Sequence, residues 1–282
     1  MIKLLKLEYY KNLNYTPFKV FSIMYFAILI GLLFVGLVDM NLSDGFKFNL
    51  KEQGMYDFPA IWNFTTYFVG LLKIFLGLII VFSICQEFTN RMFKQNTIDG
   101  LSRKEFIVSK LLTIFIYTII STTLVFIITL WLGFAYSKST DSALVTKEIF
   151  FIFNYFVKLF AFFSFLLFLC VILRKSIFVL LVFFFEYIFE GILSIMENFI
   201  LLRNLNPKQK MEALQNDFFP SEILPLQSMS NLIPAPWFRM GIAQSMGFKY
   251  EFHYPTESLI ACLVWCVIFI GGSYLILKKR DW

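Results

Sequence analysis

Residues 149–201 read IFFIFNYFVKLFAFFSFLLFLCVILRKSIFVLLVFFFEYIFEGILSIMENFIL. Two apolar runs, 149–173 and 177–201, each exceed the roughly 20 residues that a helix needs to cross the hydrocarbon of a bilayer. Only Arg174, Lys175 and Ser176 separate them. Adjacent cations between two such runs mark a turn at a membrane surface. The stretch therefore reads as one helix crossing and a second returning. Four charges lie within the runs: Lys158 in the first, and Glu186, Glu190 and Glu197 in the second.

The rest of the chain agrees with that reading. It has 282 residues, 59% of them hydrophobic and 20% aromatic, with a mean hydropathy of +0.72. Charged residues make up 16%, against about 25% in a soluble protein. A soluble fold of this length has no way to hide that much apolar surface. Composition therefore predicts an all-α polytopic membrane protein, and leaves no room for an extra soluble catalytic domain. The net charge of +6 does not point to nucleic acid. The cations fall in short clusters between apolar blocks, as topology signals do.

Four further runs bring the expected spans to six: about 18–38, 60–85, 107–136, 149–173, 177–201 and 258–277. Residues 1–16 place Ile2, Leu5, Tyr9 and Leu13 on one helical face and Lys3, Lys11 and Asn14 opposite. They read either as an amphipathic helix on the membrane surface or as a plain basic flank that sets topology. The run at 18–38 is too long for a signal-peptide core and is expected to stay as a span. With both termini placed in the cytoplasm, most of the 25 Lys and Arg residues fall in short inner segments, as the positive-inside rule requires. Segment 203–256 carries Pro207, Pro220, Pro225, Pro234, Pro236 and Pro255. It is expected outside, as short helices and turns that partly re-enter the membrane.

Segment 86–105 is the main polar interruption on the inner side. Within it, Glu87–Glu105 reads EFTNRMFKQNTIDGLSRKE. Ser102 and Glu105 have the spacing of a capping box at the start of the third span, with Leu101 and Phe106 at staple positions. Asp99-Gly100 supplies a turn. A short helix from Glu87 to Ile98, with Glu87 and Arg91 four residues apart, is expected just before it. The pattern is helix, tight turn, new helix, and we call it the handle.

The basic amphipathic start, six spans, this loop, the long outer segment and the KKRDW tail together resemble the permease subunits of type-two ABC exporters. Gly100, Ser102, Arg103 and Lys110 match that family's pattern, and the layout covers nearly the whole chain. The resemblance implies a transmembrane half in the inner (plasma) membrane, multi-pass, that pairs with a second permease copy or a homologous permease. It also implies ABC ATPase subunits seated on the handle, which would be the coupling helix. Its implied ATPase contacts are Arg91, Phe93, Lys94, Gln95, Thr97, Asp99 and Arg103, with Lys3 and Lys6 as weaker ones. The chain has no GxxxxGK[ST] motif, so ATP and Mg would be bound by the partner, and this chain would hold no cofactor and catalyse nothing.

Ionisable residues at membrane depth raise functional hypotheses of their own. Counted by depth, Lys73 is expected to pair with Glu186, and Lys158 with Glu190. They serve either as ion pairs that fix helix register or as a polar path for substrate or protons. An ion-coupled carrier or channel without an ATPase would use these four residues, and a non-transporting scaffold would use none. Cys262 and Cys266 share a helix face, as soft metal ligands or as small packing residues. His253, the single histidine, reads as an interface residue, and no HExxH or catalytic triad context is present.

Overall fold

In the computed structural model, the described residues are 6, 8, 10–12, 15–35, 40–43, 46–48, 50–98, 100–203, 206, 219–241 and 254–279. Expectations for Lys3, Asp99 and His253, for most of 1–16, and for much of 203–256 lie outside them.

The described elements are α1 Thr16–Val35, β1 Met40–Ser43, β2 Phe46–Phe48, α2 Ala60–Leu71, α3 Lys73–Thr89, α4 Met92–Ile98, α5 Arg103–Tyr136, α6 Ser142–Thr146, α7 Phe150–Leu173, α8 Ser176–Leu202, α9 Pro225–Asn231 and α10 Thr256–Lys279. Short 3₁₀ turns occupy Pro220–Ile223 and Pro236–Arg239. Five helical segments are long and apolar enough to cross a membrane, and the bent pair α2–α3 brings the number to six. Helix α5, at 34 residues, is about 51 Å long. That exceeds the ~30 Å hydrocarbon core, so it can project beyond it.

Three expectations are corrected here. The second run, taken as one helix over 60–85, is two helices meeting at a 41° bend. The break follows Gly70, where an added Cβ would lie 3.6 Å from the Lys158 ammonium; the lysine stem occupies the space that a larger side chain would fill. The segment 39–58, expected as a loop with more acid than base, contains the short antiparallel β1–β2 pair, with Met40 opposite Phe48; the other described elements are helical. The short helix expected from Glu87 to Ile98 is only α4. Glu87 belongs to α3, and the chain turns at Arg91 with φ +55°.

The chain divides into two compact units, and α3, α5 and α7 contribute residues to both. One unit comprises Met1–Ile79, Leu112–Leu159 and Ile233–Tyr250. Its core uses one face of α1, where Tyr25, Leu29 and Leu33 follow at one-turn intervals and are buried. The Tyr25 hydroxyl lies 2.7 Å from the Ser121 hydroxyl and 3.3 Å from that of Tyr155, and Ser121 and Tyr155 are 3.0 Å apart. This closed ring of three hydroxyls satisfies its own members inside an apolar surround. Arg239 Nη1 donates to Glu148 at 2.7 Å, and both side chains are largely buried. The Trp62 indole donates to the Val145 carbonyl at 2.8 Å. Phe58 lies against Gly133, with no room for a Cβ.

The other unit comprises Ile80–Leu111, Phe160–Leu232 and Glu251–Trp282. The chain from Phe219 to Asn231 packs on α8 and α10. Two carboxylates of α8 receive its backbone: Glu197 accepts from Ser221 N–H at 2.9 Å, and Glu190 from Leu226 and Gln227 N–H at 3.1 and 2.8 Å. From the other side, the Trp265 indole donates to the Ile223 carbonyl at 2.7 Å. Irregular backbone needs such partners wherever water is excluded. Gly272 is packed under Phe168, where a Cβ would meet the ring at 2.8 Å.

Candidate functional site: the handle between α3 and α5

The handle lies wholly within the second unit. Helix α3 runs on to Thr89, where the Thr89 hydroxyl returns to the Cys85 carbonyl at 3.0 Å. The left-handed backbone at Arg91 then reverses the chain, a conformation strained for a residue with a Cβ. Helix α4 has seven residues, too few to be stable by itself in water. Tertiary contact holds it. Phe93 is buried in a three-ring cluster, 4.6 Å edge-on from Phe106 and 5.6 Å from Phe88 between centroids. One aromatic from each of α3, α4 and α5 meets there, and pairs of this kind add about 0.5–1.5 kcal/mol each beyond their buried area.

The exit from α4 is as firmly made. Gly100, at φ +97°, donates its N–H to the Thr97 carbonyl at 3.2 Å, and Leu101 N–H reaches the Asn96 carbonyl at 2.9 Å. This is a Schellman ending with glycine in the left-handed position, which glycine adopts at little cost. One residue later the capping box forms as its spacing predicts. Glu105 N–H donates to the Ser102 hydroxyl at 3.2 Å, and Ser102 N–H donates to the Glu105 carboxylate at 2.9 Å. A helix end and a helix start are thus joined with most of their free backbone groups paired.

Beneath the turn, Lys110 of α5 and Glu87 of α3 form an ion pair whose side chains are only 2% and 3% exposed. Glu87 therefore does not stabilise a helix with Arg91; it bridges two long helices. Its partner Lys110 also lies over the Phe106 ring, 5.0 Å from the centroid. Arg174, in the α7–α8 turn, stands 5.8 Å above the Phe88 ring.

The residues expected to meet an ATPase divide into two groups. Arg91, Lys94, Gln95 and Thr97 are exposed. Phe93 is buried, and Arg103 is turned away: its Nη1 donates to the Leu277 and Lys278 carbonyls of α10 at 2.9 and 2.7 Å. A further residue, Ile98, was not singled out by sequence and is 84% exposed. Ile98 follows Phe93 by five positions, about 140° around a helix. Burying the phenylalanine therefore turns the isoleucine outward, a signal that was available in the sequence. The outward face of the handle thus combines Arg91 and Lys94 with one large apolar side chain.

Of the four charges expected at membrane depth, Lys73 and Lys158 belong to the first unit and Glu186 and Glu190 to the second. Lys158 is buried against Gly70, and Lys73 is half-buried at the α2–α3 break. Glu190 is buried and holds the two N–H groups at the start of α9. Glu186 is half-buried on α8 among exposed Phe184, Phe185 and Tyr187, and makes no ion pair among the described residues.

The chain belongs to a family described as a protein of unknown function (DUF2705), whose model matches residues 24–282. None of the curated proteins matches it.

Proposed function

We propose that this DUF2705 member is the membrane-spanning permease subunit of an ABC transporter of the exporter type. It crosses the plasma membrane six times, with α2–α3 as one broken span and both termini in the cytoplasm. It works in a dimer with a second permease and is driven by a separate ATPase. ATP and Mg are handled by that partner, and this chain makes and breaks no covalent bond. Nucleotide-driven movement of the ATPase presses on α4, and the long helices pass that movement to the substrate path by alternating access.

The observation that carries this reading is the build of the handle. A seven-residue helix too short to stand alone is fixed by an aromatic cluster, a Schellman ending, a capping box and a buried ion pair. A loop that merely joined two helices would need caps, but neither the extra seven-residue helix nor the aromatic cluster that fixes it. The exposed set Arg91, Lys94, Gln95, Thr97 and Ile98 then gives a rigid knob with a cationic rim and an apolar centre. That suits an acidic-rimmed groove on a partner. The layout of the sequence, which resembles type-two ABC permeases, names that partner as an ATPase.

The carrier reading is weaker. It needs Glu190 to bind and release an ion, yet both oxygens of Glu190 hold backbone N–H groups.

The test is co-purification from mild detergent of an ATPase with a Walker motif, followed by Ile98→Asp and Lys94→Glu variants. The expected result is capture by the wild-type chain and loss of at least tenfold in the double variant. Equal capture by a chain with residues 91–98 scrambled would refute the assignment.

A further inference from the structure

Arg103 sits at the first helical position of α5, directly after the capped turn. Its position in the sequence suggests one more cation for a partner to touch. Its hydrogen bonds say otherwise. The guanidinium reaches the last turn of α10 and takes two of the carbonyls that every helix leaves without an internal partner at its C-terminal end. A cation there also complements the negative end of the helix dipole. Leu277, whose carbonyl is one of the two, is buried, while Lys278 and Lys279 beside it are exposed. Those two lysines could have capped the helix locally; the contact comes instead from α5, about 175 residues away in sequence.

The handle thus ends in three fixed joints within one unit. Glu87–Lys110 joins α3 to α5, the Phe88–Phe93–Phe106 rings join both to α4, and Arg103 joins the turn to α10. The first two joints couple helices that are neighbours in sequence through the handle itself. Arg103 reaches a span, α10, that the handle does not adjoin in sequence, while Arg174 lies over Phe88 from the α7–α8 turn. We infer that Arg103 is a positioning residue that passes movement of the handle to the last span, α10, and is not part of the surface the ATPase touches. This inference rests on the coupling reading above and adds the route by which the last span is moved.

The experiment uses the full chain, co-purified with its ATPase and reconstituted in lipid nanodiscs. A nitroxide is attached at Leu275→Cys, an exposed position one turn inside the clamp. The native cysteines Cys85, Cys170, Cys262 and Cys266 are buried, so the label goes to the new site. The spectrum is recorded with and without Mg-ATP in chains carrying Arg103, Arg103→Met or Arg103→Lys. Methionine keeps the apolar stem and removes every donor; lysine keeps one point charge. With Arg103, Mg-ATP is expected to change the label's mobility. With Arg103→Met the ATPase remains bound at an unchanged ratio and the nucleotide-dependent change is lost, and with Arg103→Lys it is reduced at least twofold. If the methionine chain does not fold, the lysine chain decides by the same criterion.

A full response in either folded variant overturns the inference, as does an absent response in the bound complex with Arg103. Loss of the ATPase from Arg103→Met also overturns it, because Arg103 would then be a contact. A wild-type chain that captures no ATPase refutes the proposed function itself, and this inference with it. The two failures are told apart by the capture step alone.

Discussion

Replacing Lys110 with methionine should be among the most damaging single changes in this chain. The ammonium and its partner Glu87 are 2% and 3% exposed, so neither charge can fall back on water. Removing one partner of such a pair leaves the other charge buried and uncompensated, which costs about 3–5 kcal/mol. That is on the order of a hundredfold or more in the folded-to-unfolded ratio, a large share of a typical stability. Methionine has nearly the length of lysine, so little of the loss is packing. The pair Glu87→Leu with Lys110→Met removes both charges and keeps most of the volume. It should recover most of the loss, because two matched apolar side chains carry no desolvation penalty. The measurement is equilibrium unfolding of the purified chain in mild detergent as the share of a denaturing detergent rises, followed by helical circular dichroism. A Lys110→Met chain within about 1 kcal/mol of wild type would refute the claim that these charges are dry and mutually dependent. A double variant no better than the single one would show that the helices, not the charges, carry the loss.

Gly133→Ala should destabilise by about 1–3 kcal/mol, as overpacking does, because the new Cβ would overlap the Phe58 ring; adding Phe58→Leu should restore part of the melting temperature. Gly100→Ala places a Cβ on a backbone at φ +97°, at a cost of about 1–2 kcal/mol, and should raise hydrogen exchange at Asn96–Leu101 while leaving α7 protected. Glu222 has its carboxyl pKa raised, first by burial and further by the nearby Glu257 and Glu197 carboxylates, against a lowering hydrogen bond from Phe219. The folded chain therefore holds this proton more tightly than the unfolded one. Its contribution to stability is full below the ordinary value of 4.5 and is lost as pH rises through the elevated value. Melting temperatures between pH 4 and 8 should show that loss in the wild type, and Glu222→Gln should flatten it.

Much of the fold was legible in the sequence because membrane solvent imposes a simple rule. Apolar runs of about 20 residues become helices, and the helices α1, α5, α7, α8 and α10 start and stop within a few residues of the runs. The capping box at Ser102 and Glu105 was legible for a different reason, since its two hydrogen bonds are local and depend only on spacing three residues apart. What escaped was nonlocal. The break between Leu71 and Lys73 lies beside Gly70, where the stem of Lys158 from another helix packs, a contact that no local pattern shows. The orientation of Arg103 depends on where α10 ends. The fate of Glu87 depends on Lys110, 23 residues on. Periodicity cannot distinguish a side chain that faces a partner protein from one that faces a neighbouring helix, and at Phe93 and Arg103 that distinction decided the role.

Helix α8 shows what a carboxylate can be for when it lies deep in an apolar run. Glu190 and Glu197 stand two turns apart, about 10 Å along the axis, and hold the stretch from Ser221 to Gln227 at two heights. That stretch has a 3₁₀ turn, a proline and then the first residues of α9, so several of its N–H groups have no helical partner. In hydrocarbon each would cost several kcal/mol. Two carboxylates, which accept strongly and in pairs, meet three of them. A neutral glutamine offers one acceptor oxygen where the carboxylate offers two. Glu190→Gln should therefore keep one of the two bonds and Glu190→Leu neither. The predicted order of hydrogen exchange across residues 225–231 is wild type slowest, glutamine intermediate and leucine fastest. An unchanged rate in the leucine variant would mean that packing on α10 holds the segment unaided. The graded order would mean that these two acids of α8 exist to pair the backbone of the packed segment rather than to bind an ion.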